Sequence, residues 1–516
     1  MTTPKPLTST PPLARRYFFK LLANVASIPV YLIMEALLPR ALGPAMYGNY
    51  SFATTLFQQL FGFLDMGTST CFYNALSRRQ TEVGLISFYL RLTLLIVLLT
   101  VGVVCFLLWP KAGELFMPNV PLWLIPLAAL WAFLTWWGRV LRSMNDAIGA
   151  TIQSELIRTS IALLSVVGLL LLFLGGILNI GTFFLQQYAM LSATCLGFWW
   201  VTIQGFSAKG FKLSLELSKE QNRKYGAEFF AYSHPLLVQA LLSFLMLTLE
   251  RWLLQWFNGS AEQGFFALSQ KVSMACFLFV SAMTPLVMRE LSIAWGQKDV
   301  EAMGHLLKRF APLLYVLAAY FSCFTLAEGP TLVNLFGGAE FAMAVLPVQI
   351  MALYPLHQAY GQLAGSVFHA TGRTHILRNM TALECLYGLS LTWFFLAPNE
   401  YFGLGLGAIG LAIKTVGVQF ITVNAYLYLA SRFIPISFLK NLAHQIVSLA
   451  LLLGLAFLAR TLTMCCPHAE TFSLLRFLAS GVIYTLFTTG LCLIFPQIMG
   501  LTRNDLRELF RRFVRH

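Results

Sequence analysis

Of the ionisable side chains inside or at the ends of long apolar stretches of this 516-residue chain, seven are the candidates for chemistry: Lys414, Lys271, Arg40 and Arg251, with the acids Asp65, Glu35 and Glu384. A charge in a bilayer core costs about 2.5–3.5 kcal/mol on insertion scales, so such groups face water-filled cavities or one another. Lys414, in GLGAIGLAIKTVGVQF, lies roughly 15 Å into its apolar run at 1.5 Å per residue, too deep for its stem to reach the headgroups. Lys271 is roughly 10 Å deep, where a snorkelling lysine is the alternative. An ammonium in a narrow, low-dielectric cavity attracts a phosphate without the bidentate grip of a guanidinium, which suits a site that must release what it holds.

The three carboxylates are the candidates for taking up H⁺ or Na⁺ and coupling work to a gradient. Asp65, in GFLDMGTS, has Gln58 and Gln59 one to two turns above it, which makes one stripe of its helix polar. Each acid serves equally well as an interhelical hydrogen-bond or ion-pair partner, and Glu35 stands little more than a turn from Arg40. His234, His357 and His369 lie in apolar runs without metal-ligand spacing, and packing explains them better than ligation. The nine cysteines contain no C-x-x-C and include one vicinal pair, Cys465 and Cys466. Neither a catalytic group, a metal site nor an organic cofactor is expected.

The elements that carry these residues follow from composition. With 58% hydrophobic and 11% charged residues, against roughly 45–50% and about 25% in soluble domains, the chain is an all-α polytopic membrane protein. Runs long enough to span a core of about 30 Å lie near 17–38, 47–73, 86–109, 121–141, 156–175, 181–203, 227–249, 264–290, 310–336, 343–369, 376–397, 404–429, 440–460 and 471–495, fourteen in all. Lys and Arg are retained on the cytoplasmic side of short loops. With the N-terminus inside, most of the 35 Lys and Arg fall in the cytoplasmic segments; Arg40, Lys111, Arg251 and Arg460 fall outside, and Lys271, Lys414 and Arg476 fall within spans. That alternation supports an even number of spans with both termini cytoplasmic.

The net charge of +14 therefore meets anionic lipid headgroups rather than nucleic acid. The start PLARRYFFKLL has the look of a twin-arginine signal, but the apolar run behind it is too long, contains Glu35 and leads to no small-residue cleavage site. Residues 204–226 form the longest polar stretch and read as a cytoplasmic linker between an N-terminal six-helix lobe (1–203) and a C-terminal one (227–429), followed by two further helices (430–500). In the tail (501–516) Leu506, Leu509, Phe510 and Phe513 share one face and arginines recur on another, the pattern of an interfacial helix on an anionic leaflet.

The lobes carry signs of a repeat. WWGRVLRSMNDAIG (136–149) aligns with AYGQLAGSVFHATG (359–372), placing Gly138 on Gly361, Ser143 on Ser366 and Gly149 on Gly372; YGNYSFA (47–53) aligns with QGFFALS (263–269), Gly48 on Gly264, and LPR (38–40) has a counterpart in LER (249–251). Two lobes of six spans each share one orientation. Between the first two runs, Pro39, Gly43 and Pro44 break the helix in an outer turn.

LPRALGPAMYGNYSFA, then FLDMGTS with Arg78 and Arg79, resembles the start of the polysaccharide exporters and O-antigen (Wzx-type) flippases of the multidrug/oligosaccharidyl-lipid/polysaccharide exporter superfamily. GRVLRSMNDAIGATIQSELIRT (138–159) is similar to the segment after their fourth span. The resemblance implies two six-helix bundles in a V around a central cavity, a sugar chain on a polyprenyl diphosphate as cargo, and a bacterial inner membrane as location. On that reading Lys414, Lys271, Arg40 and Arg251 line the substrate cavity, and polysaccharide polymerase and glycosyltransferases are expected partners. The alternatives are a multidrug/cation antiporter of the same superfamily, which two buried lysines disfavour, and a membrane glycosyltransferase or polymerase, which the short outer loops disfavour.

Overall fold

A computed structural model describes residues 13–79, 82–207, 217–465, 473–501, 503 and 505. The central part of the expected linker, Cys466 of the vicinal pair and nearly all of the expected interfacial tail lie outside the described residues. Among those described, the chain is helical throughout, without strands. It divides into two compact units, Met1–Ser260 and Ala261–His516.

The first unit holds α1 (Leu13–Asp65), α2 (Thr68–Arg78), α3 (Val83–Leu107), α4 (Pro110–Phe116), α5 (Leu124–Ile148), α6 (Thr151–Leu174), α7 (Ile180–Ser207) and α8 (Lys219–Ser233). The boundary falls within α9 (Leu237–Gly296). The second unit continues with α10 (Val300–Ala327), α11 (Gly329–Gly337), α12 (Val345–Met351), α13 (Tyr354–Ala370), α14 (Thr374–Leu396), α15 (Gly407–Ser431), α16 (Phe438–Met464) and α17 (Ser473–Ile494).

Helix covers most of every apolar run, because in lipid each backbone N–H and C=O must find its partner within the segment. Among the described residues, ten stretches are long and apolar enough to cross a membrane by length and composition. Their outward faces are apolar, as a hydrocarbon solvent demands: α3 exposes Leu94, Leu95, Leu98 and Leu99, and α6 exposes Leu163, Leu164, Leu171 and Leu174. Three runs are broken where the sequence removes backbone donors. The seventh passes through a 3₁₀ turn at His234–Leu236 around Pro235, the ninth divides at Glu328 ahead of Gly329 and Pro330, and the tenth divides at Ala352 and Leu353 ahead of Pro355.

Two long helices are each bent at one glycine. In α1, Gly43 adopts φ 69°, ψ 170°, and in α9, Gly259 adopts φ 86°, ψ 179°, a region open essentially to glycine alone. The spacing that sets Gly48 on Gly264 also sets Gly43 on Gly259. Likewise Gly149 ends α5 in the left-handed conformation (φ 93°) and Gly372 follows α13 in the same one (φ 70°), the pair matched by aligning 136–149 with 359–372.

The core of the second unit is organised by α10, whose Leu314, Tyr315, Ala318, Ala319 and Cys323 are buried against α13 and α16. In the first unit, Phe57 and Phe61 of α1 are fully buried, and Phe61 stacks on Trp136 of α5 with centroids 5.6 Å apart. The first part of α9 is held in this unit at several points. Thr248 Oγ1 donates to Gln59 at 2.8 Å, Trp252 Nε1 donates to the Leu115 carbonyl at 2.8 Å, and Gln255 Nε2 donates to Asn49 Oδ1 at 2.9 Å.

Candidate functional site

In the first unit Glu35 and Arg40 precede the α1 bend at Gly43. Tyr47 donates its hydroxyl to Glu35 at 3.4 Å across the bend, and Arg40 is exposed just before it. Arg251 and Glu250 of α9 are both buried, at 6% and 8% exposure. Although LPR and LER align in sequence, Arg40 stands one turn before its bend and Arg251 two turns before the bend at Gly259, so their surroundings differ.

Asp65 ends α1, and its carboxylate organises the start of α2. Oδ1 accepts from Thr68 Oγ1 at 2.9 Å, from the Ser69 backbone N–H at 3.0 Å and from the Tyr89 hydroxyl at 3.4 Å; Oδ2 accepts from Ser69 Oγ at 2.6 Å. A carboxylate collecting first-turn donors is the arrangement of a helix cap, and the motif GFLDMGTS supplies acid, turn glycine and hydroxyls in the order that geometry needs. The chain turns between the two helices at Met66 and Gly67, both with positive φ.

In the second unit Lys414 is 2% exposed, two turns into α15 and roughly 10 Å from its first residue. Lys271 is half-buried, three turns beyond Gly259 and roughly 18 Å along α9. The structure thus reverses their depths along the helices, because α15 starts at Gly407 and the helix carrying Lys271 starts at the bend, earlier than its apolar run implies. The N-terminus of α15 is capped from α9: Glu262 Oε2 accepts from the Ala408 N–H at 2.7 Å, placing negative charge where the helix dipole is positive. Glu384 of α14 is half-buried. His357 is buried with its ring edge-on to Phe420, and among the described residues no cluster of His, Cys, Asp and Glu has the makings of a metal site.

Besides Glu250, sequence reasoning overlooked two more buried carboxylates. Glu155 of α6, 2% exposed, accepts from both Arg142 of α5 and Arg158 one turn along its own helix; Arg142 Nε donates at 2.8 Å and Arg158 Nε at 3.0 Å. The signal was in SELIRT, where Glu and Arg stand three apart. Glu328, fully buried at the end of α10, receives a two-pronged contact from Arg476 of α17, with Nη1 to Oε1 at 3.1 Å and Nη2 to Oε2 at 2.8 Å, and a further bond from Thr331 Oγ1. Arg460 of α16 donates to the Ala327 carbonyl at 2.7 Å beside it. The cation at 476 was visible inside a span, and the rule that intramembrane charges have partners would have prompted a search for an acid.

Outside the spans, Ser218 and Gln221 form a reciprocal capping box that starts α8, and α8 docks on the turn between α2 and α3. Arg79 bonds Glu228 at 2.5 Å and lies 3.3 Å from Glu82, while Tyr225 donates to Glu82 at 3.3 Å. The hydrogen bond to Glu228 holds Arg79 above its usual guanidinium range, and partial burial, reinforced by the Glu82 charge, raises the Tyr225 phenol.

Comparison with known proteins fits this geometry. A family model described as "Polysaccharide biosynthesis protein" matches residues 13–288. The chain belongs to this family. A search of curated protein sequences finds no match. Among solved structures, this polysaccharide-biosynthesis family member is similar to "Lipid II flippase MurJ, inward closed conformation", at TM-score 0.63 and 13% identity over 94% of this chain and 100% of that one. It is also similar to the inward-facing and outward-facing conformations of a multidrug resistance MATE family transporter of the MOP superfamily, at TM-scores 0.59 and 0.53. Each is 15% identical over 81% of this chain, covering 97% and 94% of the other. At such identities the likeness is one of fold, and the fold is that of the superfamily the sequence motifs resemble.

Proposed function

We propose that this family member is a flippase that carries a polyprenyl-diphosphate-linked oligosaccharide, an O-antigen unit or a similar surface-polysaccharide unit, across the bacterial cytoplasmic membrane by alternating access, with both termini cytoplasmic. The observation that carries the reading is Lys414, an ammonium 2% exposed inside an apolar helix of a polysaccharide-biosynthesis protein with a transporter fold. Burying it is costly, and a diphosphate crossing a low-dielectric region is the cargo for which that cost has a use. Lys271, Arg40 and Arg251 act with it on the headgroup, and Asp65, Glu35 and Glu384 are the candidates for coupling to H⁺ or Na⁺. Polymerase and glycosyltransferases act on the same cargo on either side of the step. A chain of this kind transports and does not catalyse covalent chemistry.

The test is Lys414→Ala in cells that depend on this chain for surface polysaccharide. The expected result is loss of the polymer at unchanged membrane levels of the protein, with Lys414→Arg partly restoring it. Normal polymer production by Lys414→Ala removes Lys414 from the mechanism. Raised resistance to cationic dyes on expression would favour the antiporter reading instead.

A further inference from the structure

A cavity of about 160 Å³ lies within the first unit, walled by the last turn of α1, the first turn of α2 and the middle of α5, and lined by Gly62, Asp65, Ser69, Trp136, Arg139 and Ser143. A water needs only some 10–15 Å³ of such space, so the volume admits a polyatomic group. Its chemistry is mixed in a way that narrows the guest. Asp65 offers the remaining lone pair of Oδ2, which already accepts from Ser69 Oγ. Arg139, exposed to the cavity's open side, makes no hydrogen bond or ion pair among the described residues. Trp136 is 3% exposed, and its buried Nε1 has no acceptor, an uncommon condition for a buried donor.

A simple anion meets the carboxylate of Asp65, and a simple cation meets the guanidinium of Arg139. A neutral group that both donates and accepts satisfies both: its hydroxyls donate to Asp65, and its oxygens accept from Arg139 and from the Ser143 hydroxyl, the Ser69 proton being already committed to Asp65. We propose that this cavity is a binding site for one neutral sugar residue. The inference rests on the transport reading for its biological meaning, since a sugar-bearing cargo is what brings such a group to the first unit, while the binding itself is testable without transport.

The structure supplies an unusual probe. A Cβ added at Gly62 meets no atom within 4 Å, so Gly62→Leu fills the cavity from a helical position where leucine is intrinsically favoured over glycine. The experiment is saturation-transfer NMR on the full chain in lipid nanodiscs, with methyl glycosides of glucose, galactose and N-acetylglucosamine, and with inorganic phosphate as competitor. The expected result is saturable binding of at least one glycoside, about tenfold weaker in Arg139→Gln, abolished in Gly62→Leu and indifferent to phosphate. Gly62→Ala, which adds a single methyl, reports the same direction should the larger variant express poorly. Displacement of the glycoside by phosphate overturns the proposal in favour of an anion site. The absence of saturable binding by every glycoside overturns it in favour of a hydrated void, and unchanged binding in Gly62→Leu places the sugar elsewhere. Glycoside binding by a chain that moves no lipid-linked oligosaccharide supports the site and ends the transport reading; transport without glycoside binding does the opposite.

Discussion

Glu155 and Glu328 are both carboxylates removed from water, at 2% and 0% exposure, yet the two units satisfy them in different ways. Glu155 has two arginines, one on its own helix and one on the helix before it, each still about a quarter exposed. Glu328 has one arginine, from α17, itself only 9% exposed. The first arrangement is local and redundant, so either partner alone leaves the acid compensated. The second is remote and single, with a geometry that fixes the position of α17 against the end of α10. A buried ion pair adds little net stability over an apolar pair, but removing one member strands the other.

That contrast breaks most visibly at Arg476. Arg476→Leu is expected to cost about 3–5 kcal/mol, read as a large loss of thermal stability of the purified protein in detergent, and the double variant Glu328→Leu with Arg476→Leu is expected to recover most of it. A single variant as stable as the wild type would erase the difference between the units. Next come the bends. Gly43→Ala and Gly259→Ala each force a side chain into a glycine-only region, at about 1–3 kcal/mol, and equal penalties at the two sites would show that the repeated backbone device is equally strained in both units. Arg142→Ala should cost less than Arg476→Leu, about 1–2 kcal/mol, because Arg158 remains on Glu155. Adding Arg158→Ala should then cost more than Arg142→Ala alone, and simple additivity would refute the redundancy.

The smallest effect is expected at the Arg79–Glu228 contact, where both side chains are partly exposed. Arg79→Gln should change stability by about 0–1 kcal/mol, less in high salt. Because its folded pKa lies above the ordinary value, the Arg79 contribution is complete below that ordinary value and is lost only as pH rises through the folded one. Stability measured across the neutral range should therefore show no dependence on this residue's titration.

The distribution of these features explains what a sequence reader sees. Long apolar runs and the arginines between them are statements about solvent, and solvent decides that the chain is helical and where helices stop near Pro235, Pro330 and Pro355. The resemblance carried by LPRALGPAMYGNYSFA and GRVLRSMND led to the family. Partnerships across the chain were not legible. Hydropathy places Arg476 and Glu328 in two different apolar runs, 471–495 and 310–336, and nothing local says that they meet. The bend at Gly259 was missed for another reason: backbone conformation leaves no trace in polarity, and only the spacing shared with Gly43 could have pointed to it. Lys414 was found because its cost is visible in one dimension, whereas the donors around Asp65 needed the third.

The Glu328–Arg476 pair also bears on how the protein is made. The two residues are 148 positions apart, and the arginine arrives on α17, the last of the long helices among the described residues. While the ribosome is still extending the chain, the acid at the end of α10 already lies in the bilayer without its counter-charge. A chain halted before α17 is made therefore holds Glu328 without the guanidinium that compensates it.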